Sequence, residues 1–144
     1  MSHVPLRGVL APAREPGRAR NIALWLLQVA AAAIFLLAGS MKLSGAPPMV
    51  ALFGAIGIGQ WFRYVTGGLE VLGAVALLVP RASGAGALLL AAVMVGAVAT
   101  HLFVVGGSPL TALVLLVITA FIAWSRRART LELLGLGRRT VSSE

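Results

Sequence analysis

Two ionisable side chains, Glu70 and His101, stand inside long apolar stretches of the sequence, where charged groups are costly. A carboxylate and an imidazole that lie close together can share a proton, and a molecule bound between them would change that exchange. Lys42 and Arg63 stand near the ends of apolar stretches and can supply positive charge to the same region, with Gln28 as a weaker polar candidate. The first four are therefore candidates for ligand binding or proton exchange. The alternative is a satisfied polar network that only stabilises the fold.

Other reactive patterns are missing from the sequence. There is no cysteine, which excludes disulfides, thiolate chemistry and cysteine-ligated metal clusters. There is also no Ser/His/Asp arrangement, no phosphate-binding loop and no pair of intramembrane histidines that would hold a haem. We therefore predict no metal site and no covalently bound cofactor, and we assign no catalytic residue.

Four apolar stretches must position the candidate residues. Of the 144 residues 59% are hydrophobic and only 11% are charged, a composition typical of an integral membrane protein. Backbone groups in lipid must be hydrogen-bonded within their own segment, and the stretches lack the alternating pattern of a β-barrel. The sequence therefore predicts an all-α fold, a four-helix transmembrane bundle. Its spans are predicted at residues 22–40, 61–79, 82–105 and 109–125, with an interfacial or re-entrant segment on the outer face at 45–60.

Positive charge is concentrated outside the spans and gives the chain a formal net charge of +8. Ten of the twelve Lys and Arg residues lie in residues 1–21, at Arg81 or in residues 126–144. Four spans place these three regions on one side, so both termini are predicted to be cytoplasmic. Residues 1–21 are predicted to be a flexible basic tail and residues 126–144 a second basic tail. Because no nucleic-acid-binding motif accompanies the charge, the expected partner is the lipid bilayer and not a nucleic acid.

Small residues indicate which helix faces pack together. Gly67 and Gly73 flank Glu70 at a spacing of three, and Gly96 marks the corresponding face of the third span. A very short turn joins the second and third spans, which makes them antiparallel neighbours. By helical rise, Glu70 and His101 then lie at similar depths in the outer leaflet. They are predicted to approach within hydrogen-bonding distance if their faces meet.

Three stretches of the chain resemble the DoxX-like family of small bacterial membrane proteins: AGSMKL (38–43), WFRYVTGGLEVLGAVALLVP (61–80) and MVGAVATHL (94–102). The resemblance covers about residues 22–125. It implies a four-helix bundle in the bacterial inner membrane. The polar positions that match the family are Lys42, Arg63, Glu70 and His101.

The family takes its name from a membrane component linked to quinone-coupled sulfur oxidation. The resemblance therefore implies an accessory subunit of a quinone-linked redox or membrane complex, with a quinone held non-covalently in a polar pocket and a membrane redox protein as partner. Two alternatives stay open at this point, a structural scaffold or assembly factor without ligand chemistry and a small permease. The sequence also allows a homo-oligomer, and it does not decide whether the protein is an enzyme.

Overall fold

The computed structural model describes residues 16–136, which form six α-helices and one π-helical segment. There is no strand among these residues, so the prediction of an all-α fold is confirmed. The helices are α1 (Pro16–Ser44), α2 (Pro47–Ile56), α3 (Gln60–Leu78), α4 (Ser83–Thr100), which the π-helical segment His101–Val105 continues, α5 (Leu110–Ser125) and α6 (Arg127–Leu133).

The four long helices pack in a chain of neighbours. Helix α1 packs mainly on α3, α3 on α4 and α4 on α5, and a smaller contact joins α1 to α5. Short connections make α3, α4 and α5 successively antiparallel. Helix α1 is antiparallel to α3, because Gln28 contacts Leu77 whereas Lys42, further along α1, contacts Glu70. The ends of the long helices therefore gather at two opposite ends of the molecule, which we call the terminal end and the α2 end. The terminal end carries the start of α1, the α3–α4 turn and α6, and the α2 end carries α2 and the α4–α5 connection.

Most of the helical surface is suited to lipid. Helices α1, α3 and α4 with its π-helical extension are long and apolar enough to cross a membrane, and α5 and α6 would make a fourth span if this pair, bent by 65°, is taken as one. Large apolar side chains such as Leu26, Leu37 and Phe103 point outward and are more than half exposed. An apolar outer surface of this extent needs lipid around it. The chain is thus a multi-pass membrane protein.

Several helix boundaries differ from the sequence-based prediction. Helix α1 extends beyond the predicted span 22–40 at both ends, from Pro16 to Ser44, so its last turn includes Lys42. Residues 16–21, predicted as part of a flexible tail, are helical, while residues 1–15 lie outside the described part of the chain. Helical hydrogen bonding does not stop where the apolar pattern stops, so composition alone places helix ends poorly.

The segment between α1 and α3 forms the ten-residue helix α2. Pro47 and Pro48 occupy its first positions, where a missing N–H costs nothing, and Gly57 ends it with a left-handed backbone conformation at φ 79°. The buried ring of Phe53 packs edge-on against Phe62 of α3 with centroids 5.8 Å apart. At about 15 Å in length, α2 is too short to cross the hydrocarbon core, as expected for an interfacial or re-entrant segment.

The core lies where the long helices meet. Gly73 allows α4 to pack closely on α3, because a Cβ at this position would lie only 2.6 Å from Cγ of Leu90. Side chains of all four long helices are buried in this core, and the largest of the apolar ones are Phe35, Leu77, Leu90 and Ile122.

Candidate functional site

The carboxylate of Glu70 is buried near the middle of α3 and binds the ammonium group of Lys42. Lys42 Nζ donates to Oε2 at 2.8 Å and to Oε1 at 3.0 Å. Helical side chains tilt toward the N-terminus of their own helix, so on the antiparallel helices α1 and α3 these two side chains tilt toward each other. A buried carboxylate is tolerated only with such a partner. The pair therefore links the end of α1 to the middle of α3.

Two glycines bring α1 and α3 close enough for this contact. A Cβ on Gly67 would lie 2.9 Å from Cβ of Lys42, and a Cβ on Gly39 would lie 2.9 Å from the carbonyl oxygen of Gly67. Only hydrogen atoms fit in these spaces. Gly39 was missed by the sequence analysis, although its place three residues before Lys42 was an available signal.

Arg63 is also buried but does not pair with Glu70. Its guanidinium donates Nη1–H to the carbonyl oxygen of Lys42, and its Nε–H to Oε1 of Gln60 at 2.8 Å. It also lies 4.3 Å from the centroid of the Tyr64 ring. Carbonyl groups in the last turn of a helix lack intrahelical partners and carry partial negative charge. Arg63 therefore caps the end of α1 and fixes the backbone of Lys42.

His101 lies at the start of the π-helical segment and is partly exposed. Its Nδ1 is 3.3 Å from the carbonyl oxygen of Gly106. No hydrogen bond joins His101 to Glu70 in the described part of the chain, so the predicted contact between them is not formed. The Glu70 carboxylate binds Lys42 instead. The wider π turn changes the helical register at this point, and such turns are frequent at functional sites.

Lys42 and His101 nevertheless line one cavity of about 390 Å³ at the α2 end. All of the helices from α1 to α5 contribute to its wall. The wall is mainly apolar, in contrast to the polar pocket that the sequence suggested. Its volume falls within the range of about 300–1,000 Å³ that is usual for small-molecule sites. The polar side chains in the wall are Lys42, Thr66, Thr100, His101 and Thr111.

Hydrogen-bond donors toward this cavity come from Lys42, His101 and the hydroxyl group of Thr111. The hydroxyl groups of Thr66 and Thr100 donate to carbonyl oxygens of their own helices, to Phe62 at 3.0 Å and Gly96 at 2.8 Å respectively. An ammonium group has three N–H donors, and Lys42 uses two of them on Glu70. Its third N–H has no acceptor among residues 16–136. The arrangement can therefore bind an apolar molecule that carries hydrogen-bond acceptors.

Gly96 differs from its predicted role in helix packing. It is exposed and lines the cavity, and a Cβ added to it would meet no atom within 4 Å. Gly67 and Gly73, by contrast, lie against α1 and α4. The small-residue pattern is identical for a packed glycine and for one that borders open space, so the sequence could not separate the two.

Gln28 is distant from Glu70 and belongs to a second polar cluster near the terminal end. Its side-chain Nε2–H donates to the carbonyl oxygen of Leu77 at 2.8 Å. Its Oε1 accepts a hydrogen bond of 2.8 Å from Nε of Arg126, a buried residue just after α5. Arg126 also donates to Asn21 Oδ1 at 2.8 Å. The sequence does not reveal this cluster, because Arg126 follows the last apolar stretch together with Arg127 and Arg129 and resembles an ordinary tail arginine.

The model of the DoxX-like family matches residues 26–125, and this range includes α3, α4 and the cavity-lining residues. The chain belongs to the DoxX-like family. The predicted family is thus confirmed, and the matched range begins a few residues later than expected. No curated protein and no solved structure matches this DoxX-like chain significantly. Within the described range, no group of three or more His, Cys, Asp or Glu residues is placed to bind a metal ion.

Proposed function

We propose that this DoxX-like protein is an accessory subunit of a quinone-linked redox complex and that its α2-end cavity binds the quinone headgroup. The observation that carries the proposal is that the Lys42 ammonium and His101 line one mainly apolar cavity. A quinone has an apolar ring with two carbonyl oxygens that accept hydrogen bonds and take up protons on reduction. Its chemistry matches both the apolar wall and the two donors.

Each polar residue has a distinct part in this proposal. Lys42 donates its third N–H to one carbonyl oxygen, and Glu70 holds the ammonium in place through the other two. Because Nδ1–H of His101 faces the carbonyl oxygen of Gly106, the other ring nitrogen donates to the second quinone oxygen only as an imidazolium, and it can give up that proton there. Arg63 acts indirectly, because it fixes the backbone from which the Lys42 side chain extends. The electrons come from a membrane redox partner.

The proposed setting is a four-helix transmembrane bundle in the bacterial inner membrane with both termini in the cytoplasm. Within residues 16–136, the terminal end carries six arginines, whereas the α2 end carries only Lys42 and Arg63. Cytoplasmic segments are enriched in Lys and Arg, so this asymmetry supports the orientation. The cavity then lies in the outer half of the membrane. The arginines of the terminal end are Arg18, Arg20, Arg81, Arg126, Arg127 and Arg129.

Titration of the purified protein in nanodiscs with a short-chain ubiquinone analogue tests the proposal. We expect saturable binding that weakens at least about tenfold in Lys42→Gln and in His101→Gln, since each change removes one donor to the quinone (about 1.4 kcal/mol). Tyr64→Phe is the control, because Tyr64 is exposed at the same end but does not line the cavity. Absence of saturable binding to the helical wild-type protein would refute the quinone site.

A scaffold or assembly factor is the second candidate, and the Glu70–Lys42 pair itself favours it. Both carboxylate oxygens accept from Lys42, and Arg63 caps α1, so these residues would hold the helices together even without a ligand. In that case chemical cross-linking in native membranes should recover one constant protein partner, in equal yield for the wild type and for His101→Gln. Recovery of no constant partner would count against the scaffold.

A further inference from the structure

A second site is indicated at the terminal end, around the buried guanidinium of Arg126. This side chain is 6% exposed. Two of its nitrogens donate to side-chain amide oxygens, Nε to Gln28 and Nη1 to Asn21, both at 2.8 Å. The third, Nη2, is buried and has no hydrogen-bond partner within residues 16–136. The partners of Arg126 are neutral, so its positive charge is not compensated by them.

The surroundings add further positive charge. A cavity of about 370 Å³ lies beside Arg126, and Arg18 and Arg20 of α1 also line it. In residues 16–136 the only ion pair joins Lys42 to Glu70. Glu132 of α6 lines a different cavity and forms no ion pair with any described residue. A buried cation without an opposite charge is costly, so this cavity favours an anion.

Two further features agree with an anion at this position. Burial, and after it the positive charges of Arg129 and Arg20, lower the pKa of the Arg126 guanidinium below its ordinary value. The cavity also includes Gly17 in the first turn of α1, where backbone N–H groups have no intrahelical partner and the helix dipole is positive. An anion in the cavity would relieve the repulsion and accept these donors.

The location of the cavity indicates where the anion comes from. The ring of Trp25 lies 5.7 Å from the Arg126 guanidinium, and tryptophan is enriched at the level of the lipid headgroups. The exposed apolar side chains of Ile22 and Leu26 lie further along α1, where acyl chains would run. Arginine binds phosphate oxygens in a bidentate manner. We propose that this cavity is a specific binding site for the phosphate of an anionic phospholipid headgroup.

Native mass spectrometry of lipid retention tests this site. The protein is released from nanodiscs that contain equal amounts of phosphatidylglycerol and phosphatidylcholine. We expect one phosphatidylglycerol to be retained per chain in preference to phosphatidylcholine. Arg18→Gln/Arg20→Gln should weaken this retention at least about tenfold, because each cationic group near an anionic lipid contributes about fivefold. Arg126 is left intact in this variant, so the contacts with Gln28 and Asn21 that support the fold are kept.

Arg81→Gln/Arg127→Gln is the matched control. It removes the same charge from the same end of the molecule, and neither residue lines this cavity. Its retention of phosphatidylglycerol should stay within about twofold of the wild type. Equal losses in the two double variants would reduce the effect to general surface charge and overturn the proposal. Equal retention of the two lipids would also overturn it. Displacement of the lipid by millimolar inorganic phosphate would assign the site to free phosphate instead.

Discussion

The ammonium group of Lys42 lies 2.8 Å and 3.0 Å from the two carboxylate oxygens of Glu70, and this pair connects the last turn of α1 to the middle of α3. The Lys42 side chain is 14% exposed and that of Glu70 only 3%. Removing Lys42 and removing Glu70 should therefore lower the free energy of unfolding by different amounts. The carboxylate depends on the ammonium for compensation, whereas the ammonium also borders a cavity.

Lys42→Met should destabilise the protein more than Glu70→Gln. The first change leaves a buried carboxylate without a cation, which costs about 3–5 kcal/mol. The second leaves an ammonium that can turn into the cavity, and it should cost roughly half as much. Equilibrium unfolding in mild detergent measures both free energies. The double variant Lys42→Met/Glu70→Gln should regain part of the loss of Lys42→Met. Equal stabilities of both single variants and the wild type would contradict a stabilising pair.

Gly67→Ala should destabilise the contact between α1 and α3. The added methyl group would lie 2.9 Å from Cβ of Lys42 and 3.1 Å from the carbonyl oxygen of Gly39, so the helices must separate at a cost of about 1–3 kcal/mol. Gly68→Ala is the matched control, because a Cβ on the adjacent Gly68 meets no atom within 4 Å. It should be neutral or stabilise the helix by up to about 1 kcal/mol. The midpoint of thermal unfolding compares the stabilities of the two variants. Equal effects of both changes would contradict the close approach of α1 and α3 at Gly67.

Gly96→Leu should weaken quinone binding without weakening helix packing. A Cβ at Gly96 has open space, so the larger side chain can enter the cavity that Gly96 lines. We expect affinity for a short-chain quinone to fall at least about tenfold, about 1.4 kcal/mol, with the unfolding midpoint unchanged. Gly68→Leu supplies the comparison, since Gly68 does not line the cavity. Unchanged affinity in Gly96→Leu would place any quinone site elsewhere.

Arg63→Met should destabilise the protein more than Arg127→Met, although both arginines donate to a backbone carbonyl and lie near an aromatic ring. Arg127 donates to the carbonyl oxygen of Trp124 at 2.8 Å and lies 4.5 Å from its ring centroid, but it is exposed. Removing it should cost less than about 0.5 kcal/mol. Removing the buried Arg63 leaves the Lys42 carbonyl with only a long bond of 3.3 Å from the Gly45 N–H, and it leaves Oε1 of Gln60 without the Arg63 donor. This change should cost about 2–3 kcal/mol. Chemical unfolding compares the two, and equal small effects would show that the cap of α1 contributes little.

Single cysteines introduced into this cysteine-free chain can report its orientation. Ser108→Cys lies in the exposed connection at the α2 end, and Ala128→Cys is exposed on α6 at the terminal end. With cytoplasmic termini, a membrane-impermeant maleimide added to intact spheroplasts should label only Ser108→Cys. Ala128→Cys should react only after permeabilisation. The reverse pattern would place the termini outside the cytoplasm.

Much of this architecture follows from the sequence alone. Long apolar stretches without the alternating pattern of β-strands require helices in lipid. The short turn between the second and third spans makes these two helices neighbours. The family was also recognisable from residues around Lys42, Glu70 and His101. Charged groups inside a membrane are costly and are usually paired or functional, so their position in apolar stretches already indicated these residues as candidates.

Which charged groups meet was decided only by the tertiary structure. Depth along a helix follows from residue count, but contact also depends on helix rotation, on the π turn at His101 and on the close approach at Gly39 and Gly67. These features direct Lys42 to Glu70 and leave His101 on the cavity wall. The sequence therefore determined which residues carry the charge, and three-dimensional packing determined their partners.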